Sequence, residues 1–270
     1  MTDLDRRYTY IAATFDAPGL NETQFVAAMA STALPVWRSL YDAGVVVGVQ
    51  VLRKEGDIDL QTSATPTRDW GYFALLELAA DASIDTVLAA ERDAQVTVAH
   101  LARRNVSYLS CEVLERPARS GTAVPLPSPH WTSPPAHHQA AIEYIQIPPA
   151  HWDEYRAFMR DYMGPVGARL VRLGHSFQIQ ILERTLVVHR DASLPAWNRI
   201  HILWGDFEDE RNGFFSHTNN AVQALVGPGH DVYSVLNAAN DYRLKPRMSR
   251  NRLLTPLCLD RQIISPLTQR

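Results

Sequence analysis

The sequence predicts an α+β protein in which two copies of a βαββαβ unit follow one another and close into one intramolecular barrel. Three observations lead to this prediction. Residues 25–55 match residues 155–185 without a gap at a constant offset of 130. The same order of strand and helix patterns surrounds both matching segments. Residues 117–139, between the two copies, are rich in Pro and Ser and have no apolar period, which is typical of a linker.

The internal match consists of apolar residues and of residues with special backbone roles. Eight of 31 aligned positions are identical. The identical pairs are Ala27/Ala157, Met29/Met159, Pro35/Pro165, Val36/Val166, Leu40/Leu170, Gly44/Gly174, Gln50/Gln180 and Leu52/Leu182. Self-similarity at these positions indicates that one structural unit was duplicated.

The first unit opens with the β-rich run YTYIAATF at 8–15. A helix is predicted from Glu22, with Asn21 as its N-cap, to a stop at Gly44. The remaining elements of this unit are predicted as strands at 45–55 and 70–79, one helix at 83–104 and a strand at 107–115.

The second unit repeats this order of elements. It is predicted to contain a strand at 142–147, a helix at 151–173, a strand hairpin at 176–189 and 198–207, a helix at 209–226 and a strand at 231–238. The order βαββαβ in both copies is that of the ferredoxin-like split β-α-β motif.

Both copies carry a proline inside the predicted first helix, Pro35 and Pro165. A proline in a helix interior costs about 3 kcal/mol, because it removes a backbone hydrogen bond and clashes with the preceding turn. Two interpretations remain open at this point: either the proline kinks one helix, or it marks the end of one short helix and the start of another.

A ferredoxin-like unit covers only one face of its sheet with helices, so two fused units can bury their bare faces against each other. In this arrangement, with the kinked helix ending in Gly44 or Gly174, the sequence resembles the dimeric α+β-barrel superfamily in its internally duplicated form. That superfamily includes small cofactor-independent monooxygenases, EthD- and NIPSNAP-type proteins, polyketide cyclases and the haem-containing chlorite-dismutase group. The resemblance implies a fold and does not single out one activity.

Composition excludes several classes of protein. The net charge is −3, and no basic run is interleaved with aromatic residues, so nucleic-acid binding is not expected. No apolar run reaches the length of a membrane span, and none at the start has the length of a signal peptide. The two cysteines, Cys111 and Cys258, are too few for a disulfide framework. A cytoplasmic protein is expected.

The chain is therefore divided into residues 1–116, a first unit acting as a scaffold, the linker 117–139, a second unit at 140–240 and a tail at 241–270. Histidines favour the second unit as the active copy, since the strands of the first unit contain none.

His201 is the leading catalytic candidate. In NRIHILW, alternation places Arg199, His201 and Leu203 on one face of the strand. An imidazole beside a guanidinium can act as a general base while the guanidinium holds an oxyanion or a carboxylate. The structural alternative is a hydrogen-bonded histidine that fills the interior.

Three further side chains are candidates for the same chemistry. Tyr144 is a phenol donor or acid on the strand IEYIQI, where Glu143 points to the opposite face. His217 lies near the edge of the apolar stripe of its helix, where it can act as a base or as an axial haem ligand. His175 directly follows the Gly174 stop.

The tail contains Arg243, Lys245, Arg247, Arg250 and Arg252 ahead of the apolar run LLTPLCL. These cations can bind a carboxylate or a phosphate, or the tail can pack on the barrel or on a second subunit of a homodimer. The packing interpretation is preferred, because the apolar run needs a surface to cover.

These observations predict an enzyme without metal or cofactor that acts by acid–base chemistry on a small aromatic or polyketide-like molecule, as a lyase, a cyclase or isomerase, or a cofactor-independent oxygenase. Two alternatives follow from the same residues. The first is a haem protein that uses a histidine of the second unit, and the second is a ligand-binding protein without catalytic activity.

Overall fold

A computed structural model of the chain describes residues 8–58, 70–116, 138–208 and 213–259. The strands are β1 Thr9–Asp16, β2 Val46–Asp57, β3 Tyr72–Leu78, β4 Ser107–Glu115, β5 Gln139–Gln146, β6 Ser176–Arg190, β7 Arg199–Gly205 and β8 Leu244–Leu253. The helices are α1 Glu22–Ala30, α2 Ala33–Asp42, α3 Ile84–Asp93, α4 Val98–Ala102, α5 Trp152–Phe158, α6 Gly164–Arg172, α7 Phe214–Val226 and α8 Val232–Asn237.

The eight strands form one closed antiparallel barrel in the order β1-β3-β2-β8-β5-β7-β6-β4. Each half of this order is a ferredoxin-like sheet, β4-β1-β3-β2 in the first unit and β6-β7-β5-β8 in the second. The halves join through two backbone seams, β2 with β8 and β4 with β6. The predicted α+β fold of two βαββαβ units closed into an intramolecular barrel is confirmed.

The fourth strand of the second sheet lies in a different part of the chain from the one predicted. Residues 231–238 were expected to form it, but Val232–Asn237 is the helix α8. Asp231 begins that helix with a capping box, in which its side chain accepts a hydrogen bond from the Ser234 backbone N–H. The strand is β8, which lies beyond residue 240 in the segment assigned to the tail and pairs with both β2 and β5.

The duplicated prolines lie in the first turn of a helix in both copies. In the first unit, α1 ends at Ala30 and α2 begins at Ala33, so the prediction of two short helices is correct there. Pro35 lies where a helix has no internal partner for its backbone N–H groups. In the second unit α5 continues into α6 through a π-helical turn, Met159–Met163, and Pro165 again follows directly.

Several predicted helix boundaries are confirmed. Asn21 caps α1 together with Gln24 in a reciprocal capping box. Gly44 and Gly174 follow α2 and α6 with φ of +73° and +75°, a conformation that glycine adopts without steric cost. The helix predicted over 83–104 is wrong, since it is broken into α3 and α4 at Gln95, whose φ is +58°.

Three layers of apolar side chains hold the barrel together. One fills the barrel interior and includes Trp70, Tyr144, Trp197 and Trp204. A second lies between the first sheet and α1–α4, and a third between the second sheet and α5–α8. The two units differ most in the residues of this third layer, on the helix-covered face of the second sheet. Among the described residues, none of the helices combines the length and the apolar character needed to cross a lipid bilayer.

Deletion of residues 241–270 should abolish cooperative folding. Without β8, both β2 and β5 lose a neighbour, and their backbone N–H and C=O groups become open edges that promote aggregation. Size-exclusion chromatography and thermal melting followed by circular dichroism should show aggregated or non-cooperatively unfolding material. Deletion of residues 261–270 alone is the control, because it leaves β8 in the chain. A melting temperature equal to that of the full chain in the longer deletion would contradict a closing role for β8.

Candidate functional site in the second unit

A cavity lies between the helix-facing side of the second sheet and the helices α6 and α7. Its open space is about 730 Å³ when the mouth is included, but a water-sized sphere can be centred in only about 70 Å³ of it. The wall is apolar apart from Glu143, His201 and Thr218. The cavity is thus narrow, and a bulky ligand enters it only if the side chains of the wall move.

The repeat explains why the second unit has this cavity. Gly167 lines it, and the matching residue of the first unit is Trp37. The indole of Trp37 is fully buried against the first sheet and donates a hydrogen bond to Glu91 on α3 at 2.9 Å. Even a Cβ atom at Gly167 would lie 3.0 Å from the Ile179 side chain. The indole of the first copy thus has no counterpart in the second, where the Ile179 side chain closes on Gly167 and the remaining space forms part of the cavity.

His201 lies in the wall of the cavity with both ring nitrogens engaged. Its Nδ1 lies 3.0 Å from Oε2 of Glu143, the residue directly opposite it on β5. Its Nε2 accepts a hydrogen bond from Nε of Arg199 at 3.1 Å. Because the arginine can only donate, Nε2 must be unprotonated, and Nδ1 carries the proton toward Glu143.

Burial supports this neutral tautomer of His201. Desolvation lowers the pKa of the imidazole below its ordinary value, and this effect outweighs the opposing influence of Glu143, which favours the cation. The imidazole at the cavity wall is thus a neutral base whose Nε2 lone pair is held by Arg199.

Two arginines stabilise the carboxylates around His201. Arg199 donates to Glu183 at 2.8 Å, and Arg243, which directly precedes β8, donates to Glu143 at 3.2 Å. Both guanidinium groups lie over the ring of buried Tyr155 on α5, with their central carbons 5.1 and 5.9 Å from the ring centroid. The side chains of both arginines are only 1% exposed, so these charges lie in the interior.

The first unit shows that the fold does not require this polar cluster. The matching residues are Ala13 for Glu143, Ala74 for His201, Tyr72 for Arg199 and Phe25 for Tyr155. In the first unit the rings of Phe25 and Tyr72 stack at 3.5 Å where the second unit has a ring beneath a guanidinium. Burying charges is costly unless they are paired, so the fold alone does not account for their presence in the second copy.

The structure brings together two of the predicted site residues, His201 and Arg199. Tyr144 lies on the opposite face of β5, inside the barrel between Trp70 and Trp197. His175 and His217 are outside the cavity wall and stack on each other, with ring centroids 3.4 Å apart. Tyr144, His175 and His217 therefore do not share a site with His201.

Three important residues were not predicted for the site: Glu143, Arg243 and Gly167. A comparison of the two copies singles out Glu143 and Gly167 in the sequence, because the first unit has alanine and tryptophan at the matching positions. Arg243 had no such signal. It lies 100 residues from Glu143 in the chain, and only the path of β8 brings the two side chains together.

No protein-family model and no curated protein sequence matches the chain. Solved structures do match over nearly the whole length. A chlorite dismutase variant from Candidatus Nitrospira defluvii is 12% identical, with 93% of each chain covered and a TM-score of 0.50. A dye-decolorizing protein from V. cholerae is 9% identical, with coverage of 90% and 92% and a TM-score of 0.51. A putative DyP-type peroxidase from Shewanella oneidensis is 10% identical, with 94% of each chain covered and a TM-score of 0.53.

These matches confirm the dimeric α+β-barrel fold and correct one prediction. The expectation of a protein without a cofactor is wrong, because the neighbours include chlorite dismutases, the haem-containing branch of the superfamily that the sequence resembles.

The difference between the two copies predicts unequal losses of stability when Trp37 is replaced by Gly and Gly167 by Trp. Replacement of Trp37 by Gly should lower the free energy of unfolding by about 3–5 kcal/mol or more, since it empties a packed site and removes the hydrogen bond to Glu91. Replacement of Gly167 by Trp should cost about 1–3 kcal/mol, since the indole overpacks the narrow cavity and shifts Ile179. Urea denaturation measures both. Equal losses would contradict the assignment of a filled and an open copy.

The His201→Gln variant should lose part of the pH dependence of stability. The folded-state pKa of His201 lies below the unfolded value of about 6.5, so its contribution to stability is present above that pH and is lost as the pH falls. Between pH 7.5 and 5.5 the wild type should lose up to about 1.4 kcal/mol more than the variant. Urea denaturation at both pH values tests this, and identical losses would contradict a neutral buried His201.

Proposed function

We propose that the chain is a haem-binding protein of redox function and that haem lies in the cavity of the second unit. The observation that carries the proposal is the pairing of His201 Nδ1 with Glu143 at the wall of an otherwise apolar cavity. Histidines that bind metals usually donate their other ring N–H to a carboxylate or a carbonyl, which fixes the ring and increases its basicity. Similarity to a chlorite dismutase and to a putative DyP-type peroxidase supports the same assignment.

The residues that line the cavity of the second unit fit a haem group. Nε2 of His201 is the nitrogen left for iron once Nδ1 is bound to Glu143, and Met159, Met163 and Met248 line the same cavity with sulfur ligands suited to iron. The remaining apolar wall suits the faces of a porphyrin. When bound, haem supplies one-electron, peroxide or oxygen chemistry.

One hydrogen bond opposes iron binding at His201. Nε2 accepts from Nε of Arg199, so this contact must open before the lone pair of Nε2 is available. The narrow cavity imposes a second condition, because the wall between α6 and α7 must move apart. Haem binding should therefore be slower than diffusion, with a rate set by this opening.

The other side chains of the cluster hold and orient His201. Glu143 keeps the imidazole proton on Nδ1, and Arg243 holds Glu143 in place. The apolar wall excludes water from the reactive side. The first unit, with neutral side chains at the matching positions, closes the other half of the barrel and is proposed to serve as the scaffold copy.

Hemin titration of the purified chain should produce a saturable Soret band at one equivalent. His201→Ala should weaken hemin binding at least about tenfold and shift the band, because the nitrogen that would bind the iron is lost. Gly167→Trp should abolish binding, because an indole would occupy the cavity. Absorption spectroscopy and electron paramagnetic resonance of the ferric complex provide the measurement.

His217→Ala is the matched control, since this histidine lies outside the cavity wall. It should leave both the Soret band and the affinity unchanged. Absence of a saturable Soret band in the wild type, or an unchanged spectrum and affinity in His201→Ala, would overturn the proposed function. Binding of apolar ligands without any hemin binding would instead favour a ligand-binding protein.

A further inference from the structure

The cluster behind the cavity wall contains hydrogen-bond donors without acceptors. Nη2 of Arg199 and both Nε and Nη2 of Arg243 have no hydrogen-bond partner among the described residues. Both side chains are only 1% exposed, so water at the surface does not reach these atoms. Arginine remains charged in proteins, and unpaired buried N–H groups are costly. The hydroxyl of Tyr155, which also has no partner among the described residues, can accept from Arg243 but not from all of these donors, so donors remain in excess.

The charges of the buried part of the cluster are balanced. Glu143 and Glu183 are its carboxylates and Arg199 and Arg243 are its cations, while Arg156, which shares Glu183 at 3.5 Å, is 50% exposed. The unpaired N–H donors, and not an excess of charge, are therefore what a bound acceptor would satisfy.

The unpaired donors lie next to the cavity. Glu143 and His201 line it, and each is hydrogen-bonded directly to one of the two arginines. The donors are therefore one side chain behind the wall. An anion at this place would be attached to a group lying in an apolar space.

We propose that Arg199 and Arg243 form a carboxylate site and that the second unit binds an apolar monocarboxylic acid, with its carboxylate on the two guanidinium groups and its apolar body in the cavity. Guanidinium groups bind carboxylates through paired N–H donors, which matches the three guanidinium nitrogens that have no partner among the described residues. The matching residue of Arg199 in the first unit is Tyr72, so this site belongs to the second copy alone. The inference does not rest on haem binding.

Isothermal titration of the protein without hemin tests the site, with octanoate and its neutral analogue octanamide as probes. The wild type should bind one octanoate at least tenfold more tightly than octanamide. Arg243→Leu should reduce this preference to less than twofold. Gly167→Trp should abolish binding of both probes, because the apolar body loses its space while both arginines remain.

Two further variants keep the result interpretable. Arg252→Leu is the matched control, since this arginine lies on the same strand but is 42% exposed and should leave the preference unchanged. Arg243→Leu leaves Glu143 with fewer partners, so the double variant Glu143→Gln/Arg243→Leu, which removes both charges, replaces it if the single variant does not fold.

Three outcomes would overturn the carboxylate site: equal affinity for octanoate and octanamide, an unchanged preference in both Arg243 variants, or octanoate binding that persists in Gly167→Trp. Failure of the hemin titration would leave these results unaffected, because the octanoate experiment contains no hemin. Conversely, a hemin complex without octanoate preference would retain the proposed function and reject the carboxylate site.

Discussion

The structure depends on closure of the barrel through two backbone seams. Each ferredoxin-like sheet ends in two strands that need a neighbour, and β2 with β8 and β4 with β6 supply these neighbours reciprocally. Closure removes the exposed edges that make isolated sheets prone to association, and it encloses a shared aromatic interior. Because both seams join one unit to the other, neither unit has its full set of strand neighbours alone. The outer, helix-covered faces are then free to differ between the copies.

Duplication lets the two outer faces take different roles. On the first face, Trp37 fills the space between sheet and helices and Phe25 stacks on Tyr72. On the second face, Gly167 leaves that space open, and Glu143, His201 and Arg199 occupy positions that are apolar or uncharged in the first copy. Buried charge is a weak source of stability, since desolvation offsets much of the attraction. The packed first unit and the common barrel interior offer the stability that allows such a cluster in the second.

The polar cluster is organised around one neutral imidazole. Glu143 and Arg199 engage its two nitrogens, and burial keeps its pKa low. In the proposed function, this imidazole would bind iron once the hydrogen bond from Arg199 opens. The guanidinium nitrogens without a partner among the described residues lie one side chain behind the cavity, where we propose the carboxylate site.

The sequence alone determined the duplication, the βαββαβ order, the glycine stops and the placement of His201 beside Arg199, because these follow from local periodicity and from alternation along one strand. The sequence also shows that the second copy has Gly167 where the first copy has Trp37. Only the tertiary structure decided that β8 lies beyond residue 240, that Tyr144 points into the barrel and that Arg243 meets Glu143. These features depend on which strands become neighbours around a closed barrel. Contacts between residues 100 positions apart have no local pattern by which a sequence could reveal them.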